Sequence, residues 1–183
     1  MGATRKVSKV FPTPDSPCKP WTRKNKYKKW VRKLTKKDNG PRRTAAEDLC
    51  VGKDTICEGD LGIPRKYMPQ FVAAEDVTRF RKFIKQAYRI KSYKKNIKVD
   101  DLRPSQKEIS RGRIKNLIED GIFDKLRVPL VVSKDNYIVD GHHRWAAYRL
   151  KMPEKALPAI VVDAPIKDVL GIAVAWGAKH HEF

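Results

Sequence analysis

The chain has 183 residues, 40% apolar and 34% charged, with 41 Lys and Arg against 21 Asp and Glu. That length suits one domain with an extension or two small units, and a net charge of +20 points to a polyanionic partner. No apolar run approaches the ~20 residues of a membrane span, and three cysteines without Cys-x-x-Cys spacing speak against a zinc ribbon and a disulfide framework alike.

Reduced thiols in a cytoplasmic setting are therefore expected, with no membrane partner. The basic N-terminus lacks the apolar stretch of a secretory signal. The charge is asymmetric: residues 1–95 hold 26 Lys and Arg against 9 Asp and Glu, and the remainder 15 against 12. An excess confined to one half is most often used on nucleic acid; the plain alternative is a solubilising tail.

Prolines at 12, 14, 17 and 20 make residues 1–26 an extended arm that buries little. Its Phe11 and Trp21 suggest anchoring, so a protein assembly holding the arm is a second expected partner. Tyr27, Trp30, Val31 and Leu34 lie at i, i+3, i+4 and i+7 and predict a helix. Its other face, including Lys28, Lys29, Arg32 and Lys33, is free for phosphates.

Thr44-Ala-Ala-Glu47 fits a capping box and predicts a short helix ending before Gly52. Residues 52–70 read as a loop, in which Gly62–Gln70 is an extended piece suited to a groove. Val77, Phe80, Ile84, Ala87 and Tyr88 predict a second amphipathic helix over about 73–90. Its outer face carries Arg79, Arg81, Lys82, Lys85 and Arg89, and Lys91, Lys94 and Lys95 continue the charge into a loop. This is a second candidate nucleic-acid surface.

From Asn96 the texture changes. Ile97 and Val99 predict a short strand, and Ser105-Gln-Lys-Glu108 a capping box that opens a helix with Ile109, Ile114, Leu117 and Ile118 inward. Val128–Val132 is a β-branched strand, Ser133–Asn136 a turn, and Tyr137–Asp140 the returning strand. A helix over about 142–151, a strand over 157–162 and a final apolar helix follow. The order β-α-β-β-α-β-α predicts an α+β domain over 96–183, a small mixed sheet with packed helices. The basic, partly helical extension of 1–95 precedes it.

The chemistry gathers at Asp140-Gly141-His142-His143-Arg144-Trp145, where a strand meets a helix. Gly141 leaves room beside the backbone, and the helix start exposes unpaired N–H groups with partial positive charge, the makings of a phosphate seat. Arg144 offers a bidentate phosphate clamp, or else a salt bridge on a helix face. His142 or His143 could stabilise phosphoryl charge or act as general acid. Adjacent helix residues diverge by about 100°, so one of the two should reach the pocket. Asp140 could bind a divalent metal or cap the helix. Trp145, Ala146 and Leu150 are expected in the core. Asp100 and Asp101 rank second as carboxylates, and His180-His181-Glu182 reads as an exposed tail.

Asp140-Gly-His-His-Arg-Trp-Ala-Ala147, after a hairpin and downstream of Leu102-Arg-Pro-Ser-Gln106, resembles the box of the ParB/sulfiredoxin superfamily over roughly residues 96–163. The resemblance implies one of several activities: CTP-dependent DNA-partition switch, ATP-using sulfinic-acid reductase, free-serine kinase or DNA nuclease. Position 142 is His where sulfiredoxins need Cys, which dismisses the reductase. Partition proteins carry Gly-Glu-Arg-Arg here, and no helix-turn-helix follows the box. The Asp-Gly-His-His-Arg form is closer to the serine kinases and to ParB-like proteins of phages and mobile elements. Kinases of that branch also use an early glutamate, for which Glu108 is the nearby candidate.

Three functions follow. The first is a metal-assisted ParB-like nuclease acting on DNA, with Asp140, His142, His143 and Glu108 catalytic and Gly141 to Arg144 on the phosphate. Mg²⁺ or Mn²⁺ would be held at Asp140. The second is a kinase or nucleotide switch using ATP or CTP, and the third a non-catalytic DNA-binding or virion-associated protein. The basic half argues against a small-metabolite kinase, although no D…E-x-K carboxylate set supports the nuclease. The resemblance places the protein in a bacterial cytoplasm, or in a virion if phage-encoded.

Overall fold

The computed structural model describes residues 44–52, 55–65, 68–71, 73–121 and 128–180. The arm, the helix expected over 27–37 with Lys28, Lys29, Arg32 and Lys33, and residues 181–183 lie outside them. No described helix is long and apolar enough to cross a membrane.

The elements are α1 (Ala74–Tyr88), β1 (Ser92–Lys98), a 3-10 turn (Val99–Asp101), α2 (Arg111–Glu119), β2 (Leu130–Ser133), β3 (Ile138–Asp140), α3 (His142–Lys151), β4 (Ala156–Val162) and α4 (Ile166–His180). The four strands form one mixed sheet in the order β1-β4-β2-β3. β4 runs antiparallel to β1 and parallel to β2, and β3 returns antiparallel beside β2. The fold is α+β, as expected, with the expected element order from β1 onward.

Alternation along β4 divides the core between the two faces of the sheet. Ile160 and Val162 join Val77, Phe80 and Ile84 of α1 and the apolar side of α4. Leu157, Ala159 and Val161 join Ile114 of α2 and Trp145 and Ala147 of α3. Residues before and after position 95 thus share one core. α1 follows the apolar spacing closely, and Asp76 accepts from the Ala73 amide at its start.

Several local expectations fail where a tertiary contact outbids the local signal. Thr44–Glu47 makes the anticipated side-chain contact, with Glu47 accepting from the Thr44 amide at 3.0 Å, but it closes a turn and no helix follows. That turn is held instead by the residues ahead of α2: Leu49 N donates to Ile109 O, Arg111 N to Glu47 O, and Ile109 N to the buried Asp48 carboxylate. Ser105 caps nothing. α2 starts six residues later, capped by Ser110, whose hydroxyl accepts from Arg113 N. β1 begins at Ser92, so Lys94 and Lys95 belong to a strand and not to a loop.

Leu150 is 48% exposed, while Trp145 and Ala146 are fully buried. Leu150 falls on the outer side of α3, and the apolar side is already filled by Trp145 and Tyr148. Cys50 and Cys57 form a disulfide, which corrects the expectation of reduced thiols; Cys18 is outside the described residues. A turn in the loop brings the two within a Cα separation of 5.1 Å, an approach invisible in their spacing.

Candidate functional site

The cleft beside the box has a volume of about 380 Å³. Its floor is the β3–α3 junction, where Asp140, Gly141, His142, His143 and Arg144 all contribute. One wall holds Arg65, Gln70 and Phe71; the other is α2 with Arg113, Asn116 and Leu117, ending at Asp120. Gln106 closes the back. The box residues were legible in sequence; both walls were missed. Of the Gly62–Gln70 piece expected in a groove, the start lies against the 105–107 segment, with Leu61 N donating to Ser105 O and Lys107 N to Ile63 O; residues 66–67 lie outside the described ones. The polar positions 113, 116 and 120, spaced i, i+3 and i+7, were the available signal for the α2 wall.

Gly141 has φ +100° and caps α3 with no side-chain hydrogen bond. The first backbone bond of the helix runs from Trp145 N to Gly141 O. The amides preceding Trp145 therefore have no acceptor within the helix. A Cβ at position 141 would lie 2.3 Å from Leu130 Cδ2 and 2.9 Å from Arg144 Nη2. Glycine is required by both the conformation and the space.

Asp140 is a tie between parts of the site. Its carboxylate takes amide hydrogen bonds from Gly141 and Phe71 and faces Arg144, with Nη2 and Oδ2 3.7 Å apart. Burial raises its pKa to about 6 despite the arginine. Arg144, itself pulled below its ordinary value by burial, also donates to the Val128 carbonyl. The salt-bridge alternative for Arg144 is thus realised, while the residue still lines the cleft. Among the described residues no three His, Cys, Asp or Glu side chains gather as a metal cluster.

Both histidines line the cleft, where one had been expected to turn away. They diverge, but the 105–110 segment wraps around the start of α3 and meets each ring. His142 Nε2 accepts from Ser105 N at 3.1 Å, and His143 Nε2 from Ser110 N at 3.2 Å. An Nε2 acceptor is a neutral imidazole with its proton on Nδ1. Burial above all, then repulsion from His143 when it is protonated and from Arg65, holds the His142 pKa well below its ordinary value. His142 is therefore a fixed acceptor that organises Ser105, whose hydroxyl in turn donates to Ile138 O.

A depressed histidine pKa contributes stability above the unfolded value of 6.5, lost as pH falls below it. His142→Ala should lower stability by about 2–3 kcal/mol at pH 8, by orphaning a buried amide and opening a cavity. It should also flatten the acid limb between roughly pH 6.5 and 5. Urea unfolding across that range tests this; parallel wild-type and variant profiles would contradict it.

Glu108 is not among the cleft-lining residues; its Oε1 sits 3.4 Å from Arg65 N, beside the Arg65 wall. Asp100 and Asp101 occupy the 3-10 turn away from the cleft. Arg81, Lys82 and Lys85 lie on α1 and Arg89 caps its C-terminus, and none lines the cleft.

No family model matches the chain, and no solved structure matches it. A stretch of 76 residues is 42% identical to a protein named ATP-dependent L-serine kinase from Staphylothermus marinus. The match covers 37% of this chain and 28% of the relative's length. It is a local similarity. It favours the nucleotide-dependent kinase over the nuclease among the activities implied by the box.

Proposed function

We propose that this protein is an ATP-dependent phosphotransferase whose acceptor is the hydroxyl of a small compound of the free-serine type. The observation that carries it is the 42% identity to a protein named an ATP-dependent L-serine kinase. The cleft supports the reading physically. Arg65, Arg113 and Arg144 line it beside the uncapped start of α3, and a helix N-terminus with guanidinium groups suits a polyphosphate. Its volume is within the range of small-ligand sites, ~300–1,000 Å³.

In the transfer, the acceptor oxygen bonds to the γ-phosphorus, the bond to the β–γ bridging oxygen breaks, and ADP leaves. Guanidinium and amide groups oppose the charge on the equatorial oxygens. The hydroxyl proton needs a base. Asp140 lines the cleft with a pKa of about 6, close to neutrality; Glu108 stands behind the Arg65 wall. His142 contributes by shaping the floor, since its Nε2 is already an acceptor. A magnesium ion would arrive with the nucleotide, as Mg²⁺ sites commonly combine one or two carboxylates with substrate phosphates.

The test is incubation of the full chain with Mg²⁺ and γ-labelled ATP, with and without L-serine. Serine-dependent ADP formation and labelled phosphoserine are expected, with a drop of at least tenfold in Asp140→Asn. Absence of transfer, together with metal-dependent nicking of supercoiled plasmid, would replace the kinase by the nuclease.

A further inference from the structure

The cleft leaves unused the most strongly charged stretch of the described chain. Residues 77–99 contain nine Lys and Arg and no Asp or Glu. The structure folds this stretch into α1 and the edge strand β1 and ties the two together: Arg81 donates through Nε to Ser92 Oγ at 3.0 Å and through Nη2 to Ser92 O. Lys82 and Lys85 stand exposed on α1, Arg89 at its C-cap, and Lys94 and Lys95 on β1. Among the described residues none of these five has an ion-pair partner.

Tyr93 lies between them in sequence, 48% exposed, and its ring and hydroxyl meet no partner among the described residues. Its register opposite Val161 puts it with Lys95 on the α3 side of the edge strand, while Lys94, opposite Ile160, stands on the α1 side, so the surface wraps around the edge. Lysines on an edge strand are a common guard against sheet-to-sheet aggregation. That accounts for Lys94 and Lys95. It does not account for the unopposed cations on α1, nor for an exposed aromatic on the same edge, which would work against the guard.

We propose that α1 and β1 form a binding surface for single-stranded nucleic acid, separate from the cleft. Cations tracking a phosphate backbone, with an aromatic available to a base face, are the usual elements of such a surface. β1 offers ~23 Å of edge at ~3.3 Å per residue, enough for a few nucleotides. Recognition by charge and stacking is sequence-tolerant, so no base preference is expected. The surface does not depend on the kinase reading.

The test uses the full chain and fluorescent oligothymidylate, with a duplex of equal length for comparison, over about 50–200 mM salt. The variant replaces Lys82, Lys85, Arg89, Lys94 and Lys95 by Gln. Its melting temperature should stay at the wild-type value, because all five side chains are exposed. Loss of five contacts should flatten the plot of log K against log salt by ~3.5, at ~0.7 per phosphate on single strands. Tyr93→Ala should weaken single-strand binding about five- to tenfold without altering that slope, consistent with ~1–3 kcal/mol per stacked base. An unchanged slope in the five-residue variant would overturn the proposal by assigning binding to residues 1–43. Preference for the duplex with no effect of Tyr93→Ala would overturn the single-strand assignment. ATP turnover by the five-residue variant should equal that of wild type, which keeps this result distinct from any failure of the kinase reading.

Discussion

Gly141→Ala is expected to be the most damaging single methyl addition in the box. At φ +100° an L-residue is strained, and the new Cβ would sit 2.3 Å from Leu130 Cδ2. Leu130 is buried in the core beneath α2 and α3, so it cannot retreat into solvent. The left-handed conformation costs about 1–2 kcal/mol and overpacking about 1–3 kcal/mol. A total of about 2–5 kcal/mol corresponds to a fall of roughly 5–20 °C in Tm for a chain of this length. Calorimetry decides it. A Tm within a degree or two of wild type would mean that the junction relaxes freely, and the close approach of backbone to ligand would lose its structural basis.

The second large effect is Arg144→Met, and its pH dependence is the informative part. Arg144 faces Asp140 at 3.7 Å and satisfies the Val128 carbonyl. Losing the carbonyl bond costs about 1–3 kcal/mol at any pH. Losing the counter-charge matters only when Asp140 is ionised. Its folded pKa, about 6, stands above the unfolded 3.8. The stability it contributes is therefore full below 3.8 and lost as pH rises through about 6. Without Arg144 the folded pKa rises further, so the loss deepens and extends to higher pH. The variant should trail wild type near pH 4.5 by only the ~1–3 kcal/mol of the lost carbonyl bond, and near pH 8 by a further ~3–5 kcal/mol, the cost of an unpaired buried charge. Equal destabilisation at both pH values in urea unfolding would sink the electrostatic account.

These two residues also show how the site is assembled. Asp140 joins the β3–α3 junction to Phe71, and His142 and His143 join it to Ser105 and Ser110. All four polar side chains of the box thus bind the protein's own backbone or each other while lining the cleft. Such fixed dipoles need no reorganisation when a phosphate arrives, which is how electrostatic stabilisation gains its strength in enzyme sites. The chemistry of the box is carried by geometry that the box itself enforces.

Much of the fold was legible because it rests on local periodicity. Val77, Phe80 and Ile84 mark the buried face of α1, and the β-branched run before Ser133 marks β2. The α3 helix begins at His142 because Gly141 can take a left-handed cap. The phosphate-seat character of Asp140–Arg144 was likewise a local property, a glycine at a strand-to-helix junction followed by cationic and hydrogen-bonding side chains. Capping-box patterns misled at Thr44 because the Thr44–Glu47 contact closes a turn held by the segment around Ile109, and at Ser105 because its side chain found partners elsewhere. Ser105 gives its hydroxyl proton to Ile138 O and its amide to His142.

What the sequence by itself determined is therefore the α+β element order, the position of the box and the one-sided charge. Each follows from side-chain type and spacing within a few residues. Only the tertiary structure decided that Arg65, Gln70 and Phe71 share a cleft with Arg113 and Arg144, that both histidines are acceptors, and that Asp140 titrates near 6. These depend on contacts between segments dozens of residues apart and on the desolvation those contacts impose. Neither quantity is written in local spacing.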